Sequence, residues 1–161
     1  MKRSLLVLLT FLAATALFAQ ETGKKTLYVY DEVNDSSRSY IVHFKAALDE
    51  NGIVYDEATV AEARSKDLSA YDRLVIHAMY MAFKMQSPVR DWLKGEPNLD
   101  GKEASLFVTS SKSKAEKLSG QLSKLLKKDG VVVSDAVSMA TKDLSDQEKA
   151  RAVKDWVGRL K

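Results

Sequence analysis

Residues 25–52 read KTLYVYDEVNDSSRSYIVHFKAALDENG, and the order of signals within them decides the fold. Lys25 to Tyr30 combine aromatic and β-branched residues in the manner of a strand. Beyond them Tyr40, Ile41, Phe44, Ala47 and Leu48 recur with helical period, so a helix begins near Ser36 or Ser37, either of which can cap it. Asn51-Gly52 closes that helix, glycine supplying the left-handed conformation a helix end favours. A strand that runs straight into a helix opens a parallel α/β unit. The junction itself is odd: it holds Asp31, Glu32 and Asp35 and no glycine.

The same alternation continues outward. Ile53 to Tyr55 can form a short second strand, and Arg73 to Ala78 are apolar enough for a strand covered on both faces. Ser87-Pro88 is a cap followed by proline at the first helical position; Val89, Trp92 and Leu93 are its buried stripe, and Gly95 ends it. Leu99 to Lys102 turn into a fourth strand, Ala104 to Thr109. Ser113 with Glu116 predicts a capping box for a helix to Lys128, with Leu118, Leu122, Leu125 and Leu126 inside. Asp129-Gly130 stops it. Val131 to Ser134 are the last strand, and Ser145 with Glu148 caps a helix that buries Trp156 and Leu160. Five strands alternating with helices give a doubly wound parallel sheet with helices on both faces.

The chain starts MKRSLLVLLTFLAATALFAQ: two cations, an apolar stretch from Leu5 to Phe18, and a small residue at Ala19. That is the pattern of a secretory signal peptide spanning residues 1–19, with cleavage after Ala19. The apolar run is shorter than the ~20 residues a membrane span needs, so no stable anchor is expected after cleavage. A periplasmic or secreted protein follows, with residues 25–161 as one domain. The 161 residues contain no cysteine, which excludes disulfide bracing, thiol chemistry and Cys-ligated metals. Once Lys2 and Arg3 leave, 23 basic residues face 22 acidic ones, a net charge of +1. The one concentrated basic segment, Lys112 to Lys128, reads as a solvated helix face, and nucleic acid is not an expected partner.

In such a sheet ligands bind beyond the carboxyl ends of the strands, where the strand order reverses. The loops in question follow Tyr30, His77 and Thr109, with a fourth after Ser134. Tyr71-Asp72 before Leu74-Val75-Ile76, then HAMYMAFKM, then Val89-Arg90 and Trp92-Leu93, and KEASLFVT (102–109) after them, look like the middle and the fourth strand of a known family: the chain here resembles flavodoxins and related flavin-dependent quinone reductases. The resemblance runs from about Lys25 to Leu160. It implies a flavodoxin-like five-stranded parallel sheet of order 2-1-3-4-5 and flavin mononucleotide (FMN) as cofactor.

Laid on the family's pattern, Asp31 to Ser36 stand where a Ser/Thr-x-Thr-Gly-x-Thr loop cradles the flavin phosphate. Asn34 falls at the glycine, where it would tolerate a left-handed backbone, and Ser36 keeps the last hydroxyl. The resemblance implies that Asn34, Ser36, Ser37 and Arg38 hold the phosphate. It places His77, Ala78, Met79, Tyr80, Met81 and Phe83 beside the ring, and Thr109, Ser110, Ser111 and Lys112 on the far side. His77, Met79 and Phe83 replace residues that are Gly, Pro and Gly in the family. None of the seven glycines lies in these loops. Two charges ~4 Å apart at an effective dielectric near 20 interact by about 4 kcal/mol, so Asp31 and Asp35 would oppose a phosphate unless they point away or bind a cation.

Other constellations compete with this reading. His77 could be a base or ligand, but an isolated imidazole at a core edge is the plainer account. Met79, Tyr80, Met81, Phe83 and Met85 suit a flavin, an apolar ligand or simple packing. Asp31, Glu32 and Asp35 could hold Mg²⁺ or Ca²⁺, or serve as helix-start acids. Two functions follow from different classes. One is an exported FMN protein passing electrons to a redox partner or reducing a quinone. The other is a cofactor-free module on the same fold, binding a partner or a small apolar ligand.

Overall fold

β1 (Thr26–Tyr30) is an interior strand, and every one of its residues is buried. The computed structural model describes residues 24–80, 87–111 and 114–160 of the chain. After β1 come α1 (Asp35–Glu50), β2 (Tyr55–Thr59), the one-turn α2 (Val60–Ala63) and a 3₁₀ turn at Leu68–Ala70. β3 (Arg73–Tyr80), α3 (Pro88–Lys94), β4 (Glu103–Ser110), α4 (Ala115–Lys128), β5 (Val132–Ala140) and α5 (Asp146–Val157) follow. The five strands are all parallel, in the order β2-β1-β3-β4-β5.

Alternation along the strands sorts the core into two layers. Leu27, Val29, Leu74, Ile76, Leu106 and Val108 point to one face, where Val89, Trp92, Leu93, Leu118, Leu122 and Leu126 of α3 and α4 cover them. Tyr28, Tyr30, Val75 and Phe107 point to the other, against Tyr40, Phe44 and Leu48 of α1 and Val153 and Trp156 of α5. The predicted stripes of all four long helices therefore face inward, with Leu125 half-buried at the margin of its layer.

Four local readings need correction. Ile53 is not in β2: its N–H donates to Leu48 O at 3.0 Å and that of Gly52 to Asp49 O, the pairing of a Schellman helix end, so the strand starts at Tyr55. Likewise the Val131 N–H donates to Leu126 O, and β5 runs from Val132 to Ala140 rather than ending at Ser134. A register shift between Ala104 and Ser105 lets it continue, with Ser134 Oγ 2.8 Å from Ser105 Oγ. α1 is capped by Asn34, not by Ser36 or Ser37, as the hydrogen bonds below show. α4 has Lys114 at its N-cap with no side-chain bond; the expected cap, Ser113, lies outside the described residues. By contrast Ser87 caps α3, and Ser145 with Glu148 forms the full capping box of α5.

Candidate functional site

The chain leaves β1 toward β2 on one side and later returns to β3 on the other, so the switch point lies at the carboxyl ends of β1 and β3. Strand register brings Tyr30 level with His77, Met79 level with Thr109, and Tyr80 level with Ser110. β5 adds Ala140 beside Ser110, and the Thr141 N–H donates to Ser110 O at 2.8 Å. The fourth loop at this edge therefore follows Ala140, not Ser134.

The junction after β1 is a reciprocal cap. Asn34 Oδ1 accepts from the Ser37 N–H at 3.0 Å, and Ser37 Oγ accepts from the Asn34 N–H at 2.9 Å. Asn34 Nδ2 donates to Glu32 O at 3.3 Å, and the Arg38 N–H donates to Asn34 O at 2.9 Å. Asn34 thus ends the loop with its side chain, and its φ is not positive, since Glu96 alone among the described non-glycine residues has that geometry. The expected left-handed turn at Asn34 does not occur. Ser36 sits in the first turn of α1. Arg38 reaches Asp35 at 3.9 Å, both side chains well exposed.

Asp31 departs furthest from expectation. Its side chain is 2% exposed and is turned off the loop toward the α3 side of the sheet. Oδ2 accepts from the Met79 N–H at 2.6 Å and Oδ1 from the Val89 N–H at 3.2 Å. Burial pushes the carboxyl up to about 6, against the pull of those two N–H groups; the nearby Glu32 adds to the rise. Position parity held the clue to this: residue 31 continues the face of Leu27 and Val29, which packs on α3. The three acids of the loop diverge, and no group of three metal-binding side chains occurs among the described residues.

His77 is 1% exposed on the opposite face. It is ringed by Tyr40 at 5.3 Å, Phe44 at 5.1 Å and Phe107 at 6.1 Å, with Nε2 3.3 Å from Thr109 Oγ1. Burial holds the imidazole down to about 3, so it is neutral. Its side chain belongs to the core and does not border the crevice, and the hydroxyl of Thr109 goes with it. Ala78 and Ser110 are also buried. Met79 and Tyr80 are half-buried, Tyr80 leaning on the α3 layer, and Ser111 is exposed. Met81, Phe83 and Lys112 lie outside the described residues. From the predicted set, the crevice edge thus gathers Asn34, Ser37, Arg38, Met79, Tyr80 and Ser111.

No family model and no curated protein matches the chain. Solved structures do. An oxidised flavodoxin 2 from Bacillus cereus superposes with a TM-score of 0.64 at 16% identity, over 85% of this chain and 99% of that one. A Fusobacterium nucleatum flavodoxin bound to flavin mononucleotide gives 0.63 at 10% identity, over 85% and 96%. General stress protein 14 from Treponema denticola, in complex with FMN, gives 0.54 at 16% identity, over 85% and 99%. The chain has the flavodoxin-like fold, and nearly the whole length of each of these proteins is matched.

Proposed function

We propose that this domain binds FMN at the carboxyl edge of β1 and β3 and serves in electron transfer or quinone-type reduction. The carrying observation is where the acids go. Asp31 is folded away into the sheet edge, and Asp35 lies outward beside Arg38, so the amino end of α1 is left to an anion. A 16-residue helix offers its first amides and the positive end of its dipole there, which is the chemistry a phosphate needs. Asn34 to Arg38 would hold the phosphate, Met79 and Tyr80 would flank the ring, and Ser111 would stand opposite. FMN would supply one- and two-electron transfer. The chain's own residues would fix the anion and flank the ring, and a redox partner would approach from the solvent side. We propose export as well, which the signal-peptide pattern of residues 1–19 supports, and the descriptions of the FMN-bound structures above support the cofactor by analogy of fold.

A second reading is favoured by one specific observation. Asn34 and Ser37 bond each other and Glu32 O within the loop, and the His77 ring and Thr109 hydroxyl are turned into the core 3.3 Å apart. A domain whose polar groups are committed in this way can serve as a cofactor-free binding module. Titration of the purified, FMN-free protein with FMN, followed by flavin fluorescence, separates the two: saturable quenching supports the first, and its absence at millimolar FMN supports the second.

A further inference from the structure

We propose that Asp31 is the positioning residue of the crevice: its ionised carboxylate fixes the end of β3 and the start of α3 against the end of β1, a task done here without glycine. The proposal takes the FMN reading above for what the crevice holds, while the tie itself stands on the geometry alone.

Among the described residues, the two donors are ones no other element satisfies. β1 pairs with β3 only as far as Tyr30 and His77, so the Met79 N–H lies past the last rung on that side. Val89 is the second residue of α3, and its N–H is one of the orphans every helix start carries. The neighbouring orphan, the Arg90 N–H, goes to Ser87 Oγ at 3.2 Å. One carboxylate therefore joins three chain segments, and the Asp31 N–H adds a bond to His77 O at 3.4 Å.

Among the described residues no free cation is placed to make that charge cheap. The acid beside it in its own loop is Glu32, which repels it. On α3, Arg90 Nε lies 3.5 Å from Asp91 Oδ1, so that cation is engaged. On β1, Tyr30 points to the α1 face; on β3, the neutral His77 lies on that same face, while Tyr80 brings only a phenol to the α3 side. Burial therefore works against ionisation, and two N–H bonds only partly offset it. A carboxylate kept there at a cost, with both oxygens committed to the walls of the crevice, serves their placement. Acidification converts it to a neutral acid, which keeps one accepting oxygen and turns the other into a donor facing an N–H.

The test compares wild type with Asp31→Asn, which has the same shape but one acceptor. Without FMN at neutral pH, hydrogen exchange at Met79 and Val89 should quicken by roughly 10- to 100-fold in the variant, the loss of a charge-assisted bond. FMN should bind the variant weaker by a similar factor, with no fall in its melting temperature. Wild type should lose affinity between pH 7.5 and 5 relative to the variant; titration of the FMN phosphate is common to both proteins and cancels in the ratio. Should the variant fail to fold, the same exchange and affinity changes are read in wild type alone on acidification. Quickened exchange with no FMN binding by either protein would sustain the tie and sink the FMN reading. Unchanged exchange, unchanged affinity, or parallel losses of affinity and melting temperature would overturn the positioning role.

Discussion

Asp31 and His77 make opposite demands on pH, and removing one should expose the other. The Asp31 carboxyl is raised from 3.8 to about 6 by burial, so between those values the folded chain keeps a proton the unfolded chain has released. Its contribution to stability is fully present below 3.8 and is lost as pH rises through 6. A shift of about two units corresponds to roughly 3 kcal/mol. His77 is lowered from 6.5 to about 3 by burial, so its contribution is present above 6.5 and is lost as pH falls toward 3. That shift is worth about 5 kcal/mol at its acid end. Between pH 4 and 6 the two slopes oppose each other and nearly cancel. Urea melts of wild type and Asp31→Asn across pH 4 to 7.5 isolate the carboxyl, because every other group drops out of the difference. The stability of wild type relative to the variant should fall by roughly 2.5 kcal/mol over that range, with the variant alone losing stability steadily on acidification. A difference that stays constant within about 0.5 kcal/mol would refute the burial argument. So would a rise with pH, which would mean that the Met79 and Val89 bonds outweigh desolvation.

Trp156, 5.2 Å from Phe107 and 5.8 Å from Phe44 between ring centroids, fills the α1–α5 layer, so Trp156→Ala should cost about 3–5 kcal/mol in denaturant melts. Ser145→Ala removes the capping box of α5 and should cost about 1 kcal/mol by the same assay. Gly52 and Gly130 both hold positive φ, +67° and +75°, but a Cβ at Gly52 meets open space while one at Gly130 would stand 2.0 Å from Asp100 Oδ1. Gly52→Ala should therefore cost about 1 kcal/mol, with Gly130→Ala costing more unless Asp100 swings clear.

The stripes and stops of α1, α3, α4 and α5 were legible because those signals are local, as were the caps Ser87 and Ser145, whereas one-turn α2 with its Thr59–Glu62 capping box went unread. The outer strands were not legible. β2 carries Asp56 and Glu57 on an edge and buries only Ala58, so apolar content pointed to Ile53 instead, which closes α1. β5 alternates exposed and half-buried residues along its whole length, and after Val133 nothing in Ser134 to Ala140 stands out as strand by composition. At the site, the sequence located the loops after β1, β3 and β4 but neither the one after β5 nor the direction of the side chains. Asp31, His77 and Thr109 all sit at strand ends, where one step of parity decides whether a polar group meets the crevice or the core. Asn34 shows a subtler limit. Both glycine replacement and helix capping suit an asparagine there, and the reach of its side chain to the Ser37 N–H decided for capping.

The central claim is that FMN sits against the amino end of α1, and backbone amide shifts of the isotope-labelled protein titrated with FMN test it most directly. Saturable shifts are expected at Asn34 to Arg38, at Met79 and Tyr80 and at Ser111, with little change at the far edge of the sheet around Gly52 to Glu57. Shifts confined to that far edge, or none at millimolar FMN, would contradict it.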